Sequence, residues 1–425
     1  MRSILRGNLI QAPALGQLDC LPGGCLLLED GVVRGVVPTP PEGWQEVPVT
    51  DYGNRLILQG FVDAHLHGPQ YPMLGTAMDL PLLEWLERYA FPTEARFADP
   101  DYARAVYRAL AADLAAHGTT RVVMFSSLHT DATLILMEEL ARAGLWGYVG
   151  KVNMDRNGGK NLQEDTEDSK RETLRWLEQC GVFAPQIRPI LTPRFTPSCT
   201  DGLMAWLGAL ARERDLPVQS HLSENTGEIA WVRELHPGCA EYWESYAKFG
   251  LWNGRTAMAH CVHSSARERQ AMREAGVLAV HCPDSNINLC SGVAPVRRML
   301  DEGVSVALGS DIAAGACLGM LEVMSQTVRA SKARSLLTDG ADRPLTAAEA
   351  YYLGTTAGQR FFGVGAGFAA GERLHAVVVD DNALGPASGL TLPQRLERAI
   401  YRAGQAEICA VWAGGRQIGG QRGFL

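Results

Sequence analysis

Long apolar runs are missing from this 425-residue chain, and no window approaches the roughly 20 uninterrupted apolar residues of a membrane span. No membrane partner is expected. The opening residues, MRSILRGNLIQAPALG, hold only a short apolar stretch broken by polar side chains, so no signal peptide is expected and the protein reads as cytoplasmic. The ten cysteines contain no C-x-x-C pair. That argues against a structural zinc knot or a disulfide framework and leaves reduced core residues. Excess positive charge is also absent. At a net charge of −8 the chain lacks the electrostatic footprint of a nucleic-acid or anionic-membrane binder. A small neutral substrate remains open. Low-complexity tracts are not seen.

What is present is a rhythm. The length suits one large domain with a smaller one. Residues 1–57 hold short Gly-punctuated apolar runs, CLLLED, GVVRGVV and RLIL, and residues 365–425 hold similar ones, HAVVVDD and ICAVWAGGRQIGG. These read as antiparallel strands of one small β-sandwich built from both chain ends. Residues 58–364 alternate differently. Eight short apolar runs, from LILQGFVDAHLH to VSVALGSD, are separated by amphipathic stretches such as SSARERQAMREAG, whose Gly276 suits a helix C-cap. Near-continuous apolar strands alternating with helices predict an α/β fold, a (β/α)8 TIM barrel. A doubly wound open sheet shows the same rhythm and stays open at this point. Each run turns polar at its C-terminal end, where a barrel gathers its catalytic groups.

The stretch GFVDAHLHGPQY closes the first run with His65 and His67. Alternate strand residues face one side, about 6.6 Å apart at a rise of ~3.3 Å per residue. Two imidazoles so placed can converge on one ion or be an ordinary polar pair. His221 in SHLSEN and Asp311 in LGSD add a nitrogen and a carboxylate, a set that suits Zn²⁺ or Fe²⁺. Water on such an ion has a pKa of ~7. Glu224, three residues past His221, is a candidate proton carrier, and a solvated loop glutamate is the plain alternative. His260 in MAHCVH is a candidate ligand or partner of the bound water. His281 divides evenly between substrate contact and a satisfied core position. His129, beside a helix start, and His263, in a loop, read as structural, as do His117, His236 and His375.

H-x-H after a first strand, His on the fifth and sixth, and Asp on the eighth are similar to the metal-dependent amidohydrolase superfamily. The stretches FVDAHLHGPQY, DLPLLEWLERYAFPTEARF, HTDAT, GKVNMDRN, LTPRFTPSC, SHLSEN, MAHCV and HCPDSN resemble the guanine deaminase family within it. The resemblance runs from about residue 50 to about residue 365. It implies one ion per subunit, zinc with iron as the alternative, held by His65, His67, His221 and Asp311. It implies substrate contacts from His67, Gly68, Pro69, Gln70, Arg194, Phe195, His221, Glu224 and Asp311, and catalysis by Glu224, His260 and Asp311. The implied reaction is deamination of guanine to xanthine by a metal-bound hydroxide, in a homodimer. Two features depart from the family. GERLHAVVVDD lacks an acidic residue common in relatives, and Asp284 stands where relatives carry a small hydroxyl residue. The alternatives are a deaminase of a pterin, 8-oxoguanine or cytosine, or a scaffold without catalysis.

Overall fold

The computed structural model describes residues 1–159, 161–386 and 388–420. Its central part is parallel. Strands Phe61–His67, Thr119–Phe125, Trp146–Gly150 and Ile187–Pro189 form one four-stranded sheet in chain order. Strands Val218–Leu222, Thr256–His260, Leu278–His281 and Ser305–Leu308 form a second. A parallel bridge between Leu191 and Val218 joins the two. At the other edge Asp311 N donates to His65 O at 2.9 Å, and His67 N donates to Ile312 O at 3.1 Å. Gly309 is needed there. A Cβ at that position would sit 2.8 Å from both Cβ and O of His65.

Five of these strands are buried along both faces, which explains their unbroken apolar runs. Helices between them start where the sequence offers caps. Asp99 accepts from the backbone N–H groups of Asp101 and Tyr102 to open Pro100–Ala116, with proline in the first turn. Ser265 opens Ala266–Ala275, and Gly276 closes it at φ 73°, as its position in the sequence predicted.

The chain ends meet in a single seven-stranded sheet. From one edge it runs Arg416–Gly419, Ile408–Ala413, Ala376–Val379, Val49–Gln59, Arg2–Gln11, Asp19–Glu29, Val32–Val37. Leu5, Leu9, Leu26, Leu28, Ile57 and Val378 gather on one face. Leu56, Leu58, Val377 and Val379 turn the other way into the main core. Both termini therefore contribute strands to one sheet, where a sandwich was expected. Two details differ from the expected antiparallel strands. Arg2–Gln11 and Val49–Gln59 pair in parallel, because the chain between Val37 and Val49 is long enough to cross back. The C-terminal segment also carries a helix, Leu392–Arg402, opened by a capping box between Thr391 and Gln394. No helix among the described residues is long and apolar enough to cross a membrane.

Candidate active site

The C-terminal strand ends bring six polar groups into contact. His65 Nε2 lies 3.2 Å from Asp311 Oδ1, and His67 Nε2 lies 3.5 Å from the same oxygen. His67 Nε2 and His221 Nε2 are 3.1 Å apart. His260 Nε2 lies 3.8 Å from Asp311 Oδ2 and 3.5 Å from Glu224 Oε2. Ligand atoms of His65, His67 and His221 all fall within 4.8 Å of one another, and so do those of His65, His260 and Asp311. The backbone bends to achieve this. Ser223, His260, Cys261 and Asp311 adopt left-handed φ values of 49°, 72°, 51° and 49°, costly for residues with a Cβ and concentrated here at strand ends.

Electrostatics suit a cation. Burial holds His65, His67 and His221 well below the usual imidazole pKa, so they remain neutral donors with free lone pairs. His65 Nε2 and His67 Nδ1 have no hydrogen-bond partner among the described residues. His221 Nδ1 sits 2.5 Å from the Arg194 carbonyl, which leaves Nε2 facing the cluster. Burial pushes Asp311 up to about 6. Three neutral imidazoles and a buried carboxylate, with unspent donor atoms, fit a divalent metal ion.

Glu224 is buried too. Burial, then the neighbouring Glu228 carboxylate, raises its pKa well above the usual carboxylate range. Ser291 Oγ donates to its Oε1 at 3.3 Å. Glu228 accepts from the backbone N–H of Glu224 at 3.0 Å and from Tyr242 OH at 2.6 Å. His260 Nδ1 lies 3.0 Å from Asn286 Oδ1.

The cluster opens into a pocket. His67, Gln70, Arg194, Phe195, His221, Glu224, His260 and Asp311 line it, with Leu82, Trp85 and Leu86 as apolar walls. Gly68 and Pro69 begin the buried turn Gly68–Met73 that carries Gln70. Arg194 makes a bidentate pair with Glu94, at 2.5 and 2.8 Å. Gln70 Nε2 donates to the same carboxylate at 2.8 Å, while its Oε1 accepts from Ala313 N at 3.1 Å.

Apart from His281 and the residues read as structural, the candidate residues named from the sequence thus lie in or beside one pocket. His117 and His236 end helices, and His375 Nε2 accepts from Gly414 N in the terminal sheet. His281 is buried and does not line the pocket. Asp284 caps a loop, accepting from Ala316 N at 2.7 Å. The sequence reading passed over Glu94, Glu228 and Asn286. Glu94 stood in the quoted FPTE stretch, and Asn286 in HCPDSN.

Residues 56–418 match the family model described as amidohydrolase family. A guanine deaminase of Dictyostelium discoideum is 34% identical, with 98% of each chain covered. A guanine deaminase of Mus musculus is 36% identical over 86% of this chain and 83% of its own. Among solved structures, a guanine deaminase from C. acetobutylicum with guanine bound in its active site is 39% identical, covering 98% of this chain and all of that one, with a TM-score of 0.96. On sequence and fold together, the chain belongs to the guanine deaminase family of amidohydrolases.

Proposed function

We propose that this protein hydrolyses guanine at C2, giving xanthine and ammonia. The observation that carries the reading is the meeting, in one pocket, of the imidazole–carboxylate cluster with the Gln70 and Arg194 donors. Kinship over nearly the whole chain with guanine deaminases supports it.

His65, His67, His221 and Asp311 would hold the ion, one zinc or iron per chain. Bound there, it supplies the Lewis acidity that makes water nucleophilic at neutral pH. The remaining steps belong to the chain. Arg194 and Gln70 orient the purine by donating to its acceptors, and Phe195 with Trp85 and Leu86 gives the flat ring an apolar bed. As oxygen bonds to C2, Asp311 takes the proton from water and Glu224 gives its own to N3. Burial favours the protonated form of Glu224, which suits that first donation. Glu224 then recovers the hydroxyl proton as the C2 carbonyl forms. Asp311 returns its proton to the amino group, and the C2–N bond breaks to release ammonia. His260, held by Asn286, hydrogen-bonds the attacking oxygen.

The same reading treats the parallel strands as a closed barrel, joined at one seam by the Asp311–His65 and His67–Ile312 backbone bonds. It divides the chain at 1–57, 58–364 and 365–425, with the terminal sheet curled as a sandwich over its own apolar cluster. A cytoplasmic homodimer completes it.

Ultraviolet absorbance distinguishes guanine from xanthine and follows the reaction directly. Turnover of guanine that a chelator abolishes, and that zinc restores, is the expected result. Ammonia release from a pterin, 8-oxoguanine or cytosine but not from guanine would overturn it.

A further inference from the structure

A carboxylate facing the substrate-binding groups is the odd feature of this pocket. Glu94 is 1% exposed and lies on the short helix Phe91–Ala95, far in sequence from both partners. Its two oxygens receive three hydrogen bonds, from Arg194 Nη1 and Nη2 and from Gln70 Nε2. Phe91, one turn earlier, lies under the guanidinium at 5.0 Å from its ring centroid. One helical turn therefore holds Arg194 from two sides.

Two consequences follow from donor inventory and charge. The Gln70 amide is fixed in one orientation, since Oε1 is taken by Ala313 N and one N–H of Nε2 by Glu94. One N–H of Nε2 and one N–H on each Arg194 terminal nitrogen remain for a ligand. The carboxylate also cancels the guanidinium charge. A buried arginine without it would attract anions. Guanine is neutral near pH 7. Xanthine carries a carbonyl in place of the amino group, so its ring N–H is more acidic and it is the species that becomes an anion as pH rises.

We propose that Glu94 is a positioning residue that aims Gln70 and Arg194 at a neutral purine and keeps the pocket from retaining the anionic product. The proposal rests on the guanine reading above. Its test is Glu94→Gln in the metal-loaded enzyme, in the wild-type and the Arg194→Met backgrounds. Guanine kinetics and the xanthine inhibition constant are measured from pH 6 to pH 9. The substitution keeps the shape, removes the charge and turns an amide donor toward other donors.

In the wild-type background KM for guanine should rise by about tenfold or more, the scale for losing a charged hydrogen-bond partner, with kcat within a few-fold. Xanthine inhibition should strengthen relative to KM, and increasingly so toward pH 9. In the Arg194→Met background the same change should move KM by a clearly smaller factor, because the two Arg194 bonds are already gone and only the Gln70 bond is left to lose. Equal factors in both backgrounds, or equal pH-independent changes in KM and xanthine inhibition, would overturn the proposal and leave Glu94 a structural support. If Glu94→Gln does not fold, Glu94→Asp decides. It keeps the charge at shorter reach, so KM should rise while xanthine inhibition keeps the wild-type pH profile, and inhibition that strengthens toward pH 9 relative to wild type would count against the charge argument. A wild-type enzyme inactive on guanine would instead sink the underlying reading.

Discussion

Asp311 stands at the strand ends, 4% exposed, beside His65, His67 and His260, and burial lifts its pKa to about 6. Asp381 lies in the terminal unit, 0% exposed, and both its oxygens are taken. Arg395 binds it in bidentate fashion at 2.6 and 2.9 Å, and Arg398 adds a bond at 3.1 Å. Two aspartates of similar burial therefore face opposite surroundings. One is gathered with imidazoles of which His65 Nε2 and His67 Nδ1 have no partner among the described residues, and the other is closed off by arginines. A buried polar group with spent capacity holds a fold together, whereas one with unspent capacity waits for a ligand.

That contrast is broken most severely by removing a donor from the cluster. His65→Ala or Asp311→Asn should remove most bound metal and nearly all turnover, while the far-ultraviolet spectrum stays native. Metal analysis of the purified variants checks it. Full metal content with a normal rate in His65→Ala would mean that the cluster is only a polar core.

Glu224→Gln comes next. It keeps shape and metal but removes the proton carrier, so kcat should drop by about 10²–10⁴-fold. A kcat within a few-fold of wild type would return Glu224 to the status of a buried loop residue.

The two regions were also unequally legible. The parallel strands could be read because burial on both faces produces unbroken apolar runs, and each ends in the residue it delivers to the pocket, as with His221 and Asp311. The terminal sheet could be sensed from its Gly-punctuated runs. Its parallel pairing of Arg2–Gln11 with Val49–Gln59 could not, since strand direction depends on a crossover that carries no residue signature. The helix Leu392–Arg402 had its signal in TLPQ, a capping box with proline in the first turn, but the surrounding strands outweighed it. Glu94 was hidden for another reason. Its partner Arg194 lies 100 residues away, and a glutamate in a polar helical stretch resembles any solvated one until the fold buries it. Glu228 was masked by its second task, since it also closes the capping box opened by Asn225.

Asp381→Asn tests the other half of the comparison. It leaves Arg395, only 5% exposed, beside a neutral amide. Breaking one side of a buried ion pair costs about 3 kcal/mol or more. The denaturation midpoint should fall accordingly, while kcat at 25 °C stays at the wild-type value. A loss of kcat without a loss of stability would erase the distinction drawn between the two regions.

The smallest effect concerns Glu268, which lies behind the catalytic face rather than in it. It sits in the first turn of Ala266–Ala275, is 1% exposed, and accepts from Ser223 Oγ at 3.1 Å. Burial, opposed by the bond from Ser223, pushes its carboxyl up to about 8 from an ordinary 4.5. The folded chain therefore binds this proton more tightly than the unfolded chain does. Its contribution to stability is full below about pH 4.5 and is lost as pH rises through about 8. Glu268→Gln cannot ionise and keeps an oxygen for Ser223. The variant should gain steadily on wild type from about pH 5 to about pH 8 and level off above it, read as the difference of their denaturation midpoints at each pH. Using the difference cancels the titration of every other group. A gap that stays constant with pH would mean that Glu268 is ionised throughout, with its charge met by polar groups around Ser223. The left-handed turn at Ser223 would then lie in a well-solvated wall, and the contrast with the closed Asp381 cluster would weaken by that much.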